Sequence, residues 1–189
     1  MDARYAVLIA VGEEGSGGLI GRTLLQKKLY FASLLVDEDL GFRPYYYGPY
    51  SQEIANATDS LVSNRFLKER VDIFPDSNIF GERRRYSYQL TPDGSQILGR
   101  LKKEPGVAAW CDALKKINEH SLSHDFDLLS IAAKVKTILR EAGEATIGDI
   151  EQKAREYGWT LTRDEIDRVA GFLESLKLVS RTQPRGSSA

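Results

Sequence analysis

Two stretches decide the fold: GRTLLQKKLYF at residues 21–31 and YYYGPYS at residues 45–51. The first belongs to a run from Thr23 to about Asp39 in which apolar residues recur at the spacing of one helical stripe. The second belongs to a short aromatic segment that leads into Gly-Pro, so residues 42–47 are predicted to be an extended strand followed by a turn. Ser51 is then the predicted N-cap of a further helix, and Asn64 is its predicted left-handed stop. The pair predicts a helix-turn-helix framework rather than an active site.

A small β wing is predicted directly after that further helix. Residues 66–74 and 84–90 are two partly alternating apolar and polar runs, predicted to be strands, with a polar turn at residues 75–78 between them. Thr91 then fits an N-cap, with proline at the first helical position. A buried helix is predicted over residues 3–11. The chain is therefore predicted to be mainly α with a small β wing, with a winged helix-turn-helix domain over residues 1–104.

The second half of the chain is predicted to be helical. The Glu-Pro-Gly sequence at residues 104–106 is the best internal boundary, and residues 105–183 form the predicted C-terminal domain. Thr146 and Thr162 fit the caps of two helices that repeat the pattern of the first domain, and Gly158 is the predicted stop of the first of them. This indicates a degenerate second helix-turn-helix unit with a short or missing wing; an ordinary helical bundle is the alternative. Residues 184–189 are predicted to be a disordered tail.

The composition excludes several classes of protein. A formal net charge of -1 over 189 residues gives no general attraction for nucleic acid, so any basic surface must be local. The single cysteine, Cys111, excludes an internal disulfide framework and a Cys-rich zinc site. The apolar run at residues 6–11 is shorter than a signal peptide core and far shorter than the ~20 residues that span a bilayer. We expect a cytoplasmic protein with no membrane partner.

The sequence offers little support for catalysis. His120 and His124 have the spacing of a helical metal pair and lie next to acidic residues, but nearby serines argue against a rigid helix there. Cys111 falls on an apolar helix face, which favours a buried thiol over a nucleophile. Phosphate-binding loops, serine elbows and paired-carboxylate motifs are missing from the sequence. We therefore predict no catalytic residue, no metal site and no cofactor.

The two opening stretches also carry a family resemblance. The residues Leu25-Gln26-Lys27, Leu29-Tyr30 and Tyr47-Gly48-Pro49-Tyr50-Ser51 resemble the signature of the YwgA-like proteins and, more distantly, of the Panacea antitoxin-domain families. Residues 90–94 resemble the turn after the wing in many winged-helix regulators. The resemblance covers roughly residues 3–103. Lys28 departs from it, since an apolar residue is expected there, and its aliphatic stem is predicted to extend along apolar surface towards solvent.

This resemblance implies a non-enzymatic regulator of winged-helix type that acts by contact with another macromolecule. Such proteins occur among phage-associated and toxin-neutralising proteins, so an antitoxin- or adaptor-like role is implied. Fold similarity alone does not identify the partner.

A protein partner is favoured because the predicted reading helix is unsuited to DNA. The segment from Ser51 to Asn64 has no Lys or Arg, and it carries acidic residues that would repel phosphates. Tyrosine is over-represented at binding hot spots. The candidate protein-binding residues are Phe42, Tyr45, Tyr46, Tyr47 and Tyr50. The alternative is that alternate rings pack under the wing.

DNA binding by a winged-helix transcriptional regulator is the second hypothesis. It rests on the arginine run at the start of the second wing strand and on cations of the second helix. The candidate nucleic-acid-binding residues are Arg22, Lys27, Lys28, Gln52, Asn56, Arg83, Arg84 and Arg85. These cations could instead be part of a solvated wing and helix surface, and the sequence leaves a homo-oligomer open.

Overall fold

The chain forms helices around a small antiparallel sheet in this computed structural model, which describes residues 1–76 and 81–181. The elements are α1 (Ala3–Gly12), β1 (Leu19–Ile20), α2 (Arg22–Leu35), α3 (Gln52–Ser63), β2 (Leu67–Asp76), β3 (Gly81–Leu90), α4 (Pro92–Leu101), α5 (Val107–Asn118), α6 (Phe126–Ala142), α7 (Ile147–Glu156) and α8 (Arg163–Ser175). Short 3₁₀ turns lie at Gly15–Gly17 and Ser121–His124. The predicted class, mainly α with a small β sheet, is confirmed.

The sheet has the strand order β1-β3-β2, and both pairings are antiparallel. The β2–β3 register runs from Leu67 opposite Leu90 to Asp76 opposite Gly81. Both predicted wing strands are therefore present and longer than predicted. The predicted turn at residues 75–78 begins within β2, and its last two residues lie outside the described residues.

The aromatic segment before α3 is not the predicted strand. Residues 42–47 have no strand pairing apart from an isolated bridge between Arg43 and Tyr50. The backbone N–H of Gly48 donates to the carbonyl of Tyr45 at 3.0 Å, so the chain turns back on itself within four residues. Gly48 has φ +93, a conformation that glycine adopts without steric cost and that ends the extended segment. The tyrosines therefore lie in a tight loop.

The predicted helix starts are confirmed by their caps. The side chains of Ser51, Thr91, Thr146 and Thr162 each accept a hydrogen bond from a backbone N–H in the first turn of the following helix. Such caps depend only on neighbouring residues, which explains why the sequence identifies them.

Two predicted helix ends were wrong by a few residues. The left-handed residue after α3 is Arg65, at φ 60, rather than Asn64, because the N–H of Phe66 reaches back to the carbonyl of Leu61. Helix α2 ends at Leu35, earlier than the predicted Asp39.

Helix α8 ends in the same way as α3. Lys177 has φ 58, and the N–H of Leu178 donates to the carbonyl of Leu173. Helix α1 contacts both α2 and α3, and α6 contacts both α7 and α8. These parallels fit the predicted repeat.

One apolar core runs through both halves of the chain. Helix α1 is buried around most of its circumference, with Ala6 to Val11 at most 1% exposed. Helix α2 packs against α1, α5 and α6. Each fully buried Leu, Ile or Phe contributes roughly 1.5–3 kcal/mol to such a core. The domain boundary at residues 104/105 stays a prediction, and the predicted tail at 184–189 lies outside the described residues.

Within residues 1–76 and 81–181, the helices are all too short or too polar to cross a membrane.

Candidate functional site

The most exposed aromatic surface of the described chain is the loop at residues 43–50, here called the tyrosine loop. Tyr45, Tyr46 and Tyr47 are 63%, 72% and 62% exposed. The rings of Tyr46 and Tyr47 meet edge to face with centroids 4.9 Å apart. Three consecutive large rings in water are unusual, because burial of such side chains is normally favourable.

The end of the tyrosine loop is fixed by the side chain of Gln26 on α2. Its Nε2 donates to the carbonyl of Ser51, and its Oε1 accepts from the backbone N–H of Ser51, both at 2.9 Å. Gln26 is buried. The hydroxyl of Ser51 also donates to the carbonyl of Leu40 and caps α3. The Gln and Ser of the two opening stretches are therefore direct partners in the fold.

Lys27, the next residue on α2, fixes the middle of the turn. It is 2% exposed, and its Nζ donates to the carbonyl of Pro49 at 2.6 Å. A Cβ on Gly48 would lie 3.1 Å from Cγ of Lys134 on α6 and 3.6 Å from Cε of Lys27. The close approach and the positive φ together require glycine here.

The start of the tyrosine loop is held from the C-terminal half of the chain. The indole Nε1 of Trp159, which follows α7, donates to the carbonyl of Tyr45 at 2.8 Å. Lys134 lies over the same indole, with its Nζ 5.8 Å from the ring centroid. The loop is therefore bound on one side by α2 and on the other by residues more than eighty positions further along the chain.

Burial shapes the electrostatics beneath the loop. Desolvation, together with the nearby charge of Lys134, lowers the pKa of Lys27 to about 7. Desolvation also lowers the pKa of Lys134. An amine with such a pKa exists in both protonation states near neutral pH.

Lys28, the next residue on α2, is buried in a different environment from that of Lys27. It is 0% exposed, and its Nζ donates to the Glu14 carboxylate at 2.5 Å. Desolvation lowers the pKa of Lys28, and Glu14 partly opposes the shift. The expectation that its stem extends to solvent was wrong, because Glu14 supplies a counter-ion inside the protein.

A cavity of about 160 Å³ lies between the tyrosine loop, the start of α2, α3 and the middle of β3. Its lining residues are Arg22, Thr23, Leu25, Gln26, Lys27, Tyr45, Tyr47, Gly48, Tyr50, Ala55, Thr58, Asp59 and Tyr88. We call it the loop cavity. It brings together members of both predicted residue sets, the tyrosines and the cations of α2.

Arg22, at one wall of this cavity, has partners of its own. Its Nε donates to the Tyr88 hydroxyl at 2.8 Å and its Nη2 to the Glu69 carboxylate at 2.9 Å. The guanidinium also lies 4.0 Å from the ring centroid of Tyr86. These contacts tie α2 to the sheet.

The other predicted residues lie elsewhere. Phe42 is 6% exposed and packs edge to face on Tyr30, so it supports the loop from the core. Gln52 and Asn56 hydrogen bond to each other at 2.9 Å on the exposed face of α3.

The predicted arginine run lies on β3. The Nη2 of Arg85 donates to Asp72 across the hairpin at 3.1 Å. Arg84 is exposed, and Arg83 is described only as a backbone position in β3.

His120, the first of the two histidines, makes contacts within the fold. The Nδ1 of His120 accepts from the backbone N–H of Leu122, and its ring packs on Phe172. In the described residues there is no group of three or more His, Cys, Asp or Glu side chains that could hold a metal ion.

Comparison with known proteins now adds to the geometry. A protein described as "Uncharacterized protein YwgA", from Bacillus subtilis (strain 168), is 27% identical to the chain over 168 residues, which is 87% of this chain and 91% of that protein. The chain is similar to YwgA. This similarity extends over most of the length of both proteins. No protein-family model matches the chain.

Trp159 and Lys134 contact the tyrosine loop, and the sequence did not identify either of them as part of the site. Both contact a segment about ninety or more residues away, and no local pattern specifies such a pairing. Trp159 follows Gly158, the predicted stop of a helix, and a tryptophan just past a helix end could have drawn attention to it.

Proposed function

We propose that the protein is a non-enzymatic regulator that binds another protein through the tyrosine loop. The observation that carries the proposal is the exposure of Tyr45, Tyr46 and Tyr47, at 62–72%, in a loop held by buried hydrogen bonds. Tyrosine supplies large contact area at low conformational cost and is enriched at binding hot spots.

The support beneath the loop favours binding for an energetic reason. Ordering a loop on association reduces affinity, so a surface that is already ordered binds more tightly for the same contacts. Hydrogen bonds from the side chains of Gln26, Lys27 and Trp159 fix the backbone of the loop and of the residue that follows it in the free protein. The exposed rings therefore form a pre-organised surface.

The proposed form of regulation is the one that the resemblance to the YwgA-like and Panacea antitoxin-domain families implies. An antitoxin- or adaptor-like protein acts by contact with a toxin or a regulatory target, and a surface of exposed tyrosines suits that role. We place this activity in the cytoplasm. The similarity to YwgA adds support for the family and names no partner.

The test is direct binding to a partner purified from the native host. The variant Tyr45→Ser/Tyr46→Ser/Tyr47→Ser removes the exposed rings. Because hot-spot tyrosines each contribute about 2 kcal/mol or more, the Kd of a reconstituted complex should rise at least a hundredfold. Isothermal titration calorimetry with the purified partner measures it.

Tyr5 provides the matched control. It is 40% exposed on α1, so Tyr5→Ser removes an exposed tyrosine outside the loop. We expect its Kd to equal that of the wild type. A partner that binds the triple variant as tightly as the wild type would show that the interface lies elsewhere.

A nucleic-acid function has a narrower basis, on the β2–β3 hairpin. Lys68, Arg70 and Arg85 line a shallow cavity of about 290 Å³ on one face of the sheet, together with a single carboxylate, Asp72. Its test is a gel-shift series at low salt with the Arg83, Arg84 and Arg85→Ala variant, since phosphate contacts are salt-dependent. Binding that survives this substitution would exclude the hairpin as the site.

A further inference from the structure

Lys27 lacks an acidic partner although it is almost fully buried. Its Nζ has the Pro49 carbonyl as an acceptor, and in the described parts of the chain no carboxylate forms an ion pair with it. The Pro49 carbonyl satisfies one of the three N–H donors of an ammonium group and carries no net charge, so the protonated form of Lys27 has no counter-ion in this contact. Buried charges in proteins are normally paired.

Two other lysines of the same region do have such partners. Lys28 pairs with Glu14 at 2.5 Å, and Lys102 pairs with Glu13 at 2.8 Å. Of these three lysines, Lys27 alone has no carboxylate partner among the described residues.

The position of Lys27 indicates where a counter-ion could come from. Lys27 lines the loop cavity, which also borders the first turn of α2 at Arg22 and Thr23. The N-cap of α2 is Gly21, which has no side chain to accept hydrogen bonds from that turn. A helix N-terminus favours negative charge, and here its first turn and a buried amine line the same cavity.

The size of the cavity restricts what can enter. Sites for cofactors and drug-sized ligands are roughly 300–1,000 Å³, whereas the loop cavity holds about 160 Å³. A single side chain fits this space better than a nucleotide or a cofactor. The rings of Tyr45, Tyr47 and Tyr50 form one wall, which suits an aliphatic stem.

We propose that the loop cavity receives a carboxylate-bearing side chain of the protein partner, which becomes the counter-ion of Lys27. The stem packs between the tyrosine rings, and the carboxylate lies between Lys27 and the first turn of α2. This inference rests on the proposed function and names the chemistry of the partner at that site. The depressed pKa of Lys27 agrees with a site that lacks its anion in the free protein.

A pair of short peptides tests the inference without a known partner. The probes are acetyl-Leu-Glu-Leu-amide and acetyl-Leu-Gln-Leu-amide, which differ by one carboxylate against one amide. We expect the glutamyl peptide to bind at least about tenfold more tightly, since charge-assisted hydrogen bonds are the stronger ones. NMR titration measures both affinities and identifies the residues whose resonances shift.

Two variants locate the binding. Lys27→Met removes the amine and should reduce the affinity for the glutamyl peptide to that of the glutaminyl peptide. Ala55→Leu fills the cavity from α3 and leaves the Lys27 side chain in place, so the affinity for both peptides should fall. This second variant keeps the inference testable if Lys27→Met fails to fold. Tyr5→Ser should change neither affinity.

The inference is overturned if the two peptides bind equally or if neither binds. It is also overturned if the shifted resonances lie outside the loop cavity, or if the folded variants retain the glutamyl preference. These outcomes leave the proposed function standing when the triple tyrosine variant still loses the partner. If the peptides discriminate but that variant keeps its partner, the cavity binds carboxylates and the proposed function fails.

Discussion

The two sides of α2 bury neighbouring lysines in contrasting ways. On one side, Lys28 is 0% exposed and ion-paired with Glu14, which closes the glycine-rich segment after α1 onto the helix. On the other side, Lys27 is 2% exposed and bonded to a backbone carbonyl below the tyrosine loop. Consecutive residues on a helix point about 100° apart, so the two amines enter different environments. On the first side the lysine has an ion-paired carboxylate, and on the second no carboxylate of the described residues forms an ion pair with Lys27.

This difference is consistent with the proposal that the side of Lys27 binds a partner. A buried ion pair within one chain contributes to a fixed structure, whereas a buried amine without a counter-ion is tolerated where a ligand supplies one. The exposed tyrosines and the loop cavity lie on the side of Lys27. The two lysines should therefore differ in how much each contributes to the free energy of unfolding.

The largest effect is expected for Lys28→Met. The substitution leaves the Glu14 carboxylate, whose side chain is 10% exposed, without its buried partner. Breaking a buried pair in this way costs about 3–5 kcal/mol. Urea unfolding followed by circular dichroism measures the loss in the free energy of unfolding.

The control for this effect is the double variant Glu14→Leu/Lys28→Met. Replacing both partners by apolar residues removes the unpaired charge, so most of the lost stability should return. A single variant that loses less than about 1 kcal/mol would contradict the view that this side is a completed ion pair.

A smaller effect is expected for Gly48→Ala in the tyrosine loop. The substitution places a Cβ 3.1 Å from Lys134 in a backbone with φ +93, and such strain costs roughly 1–3 kcal/mol. Gly99→Ala is the matched control, because nothing lies within 4 Å of its Cβ position on the exposed face of α4. That control should gain about 0.5–1 kcal/mol. Equal responses of the two variants in urea unfolding would refute the role given to Gly48.

The sequence predicts those structural features that depend on residues close to one another in the chain. The stripe of α2 and the caps at Ser51 and Thr91 follow from local spacing and hydrogen-bonding groups, and they are confirmed. The signature residues Gln26 and Ser51 could be identified as a pattern, but their hydrogen bonds could not.

The rest depends on packing between distant segments. Glu14 lies in a segment that contains four glycines, and the sequence does not indicate that it forms an ion pair with Lys28, fourteen residues away. The extended segment predicted at residues 42–47 was wrong for the same reason. Aromatic β propensity was outweighed by a turn that Lys27 and Trp159 fix from outside the segment.

The smallest loss of stability at neutral pH is expected for Lys27→Met. The variant loses the hydrogen bond to Pro49, worth about 1 kcal/mol, but it also removes the desolvation of a buried amine. The two contributions oppose each other, and the desolvation of the amine is the larger, so Lys27→Met should not lower the free energy of unfolding at pH 7. Set against Lys28→Met, this result would give the contrast between the two sides directly.

The pH dependence of that variant gives the sharpest comparison. The pKa of Lys27 is lowered to about 7 in the folded protein, below its ordinary value of 10.5, so the unfolded chain binds more protons between these pH values. The stability of the wild type therefore gains a contribution from Lys27 as the pH rises through this window, and methionine provides none. Relative to the wild type, Lys27→Met should become less stable between pH 6 and pH 9.5, by on the order of 1 kcal/mol or more. Urea unfolding at both pH values, with the exposed Lys116→Met as a reference for loss of a surface charge, measures the difference. A difference between Lys27→Met and the wild type that does not change with pH would mean that Lys27 is not a desolvated amine, and the contrast with Lys28 would disappear.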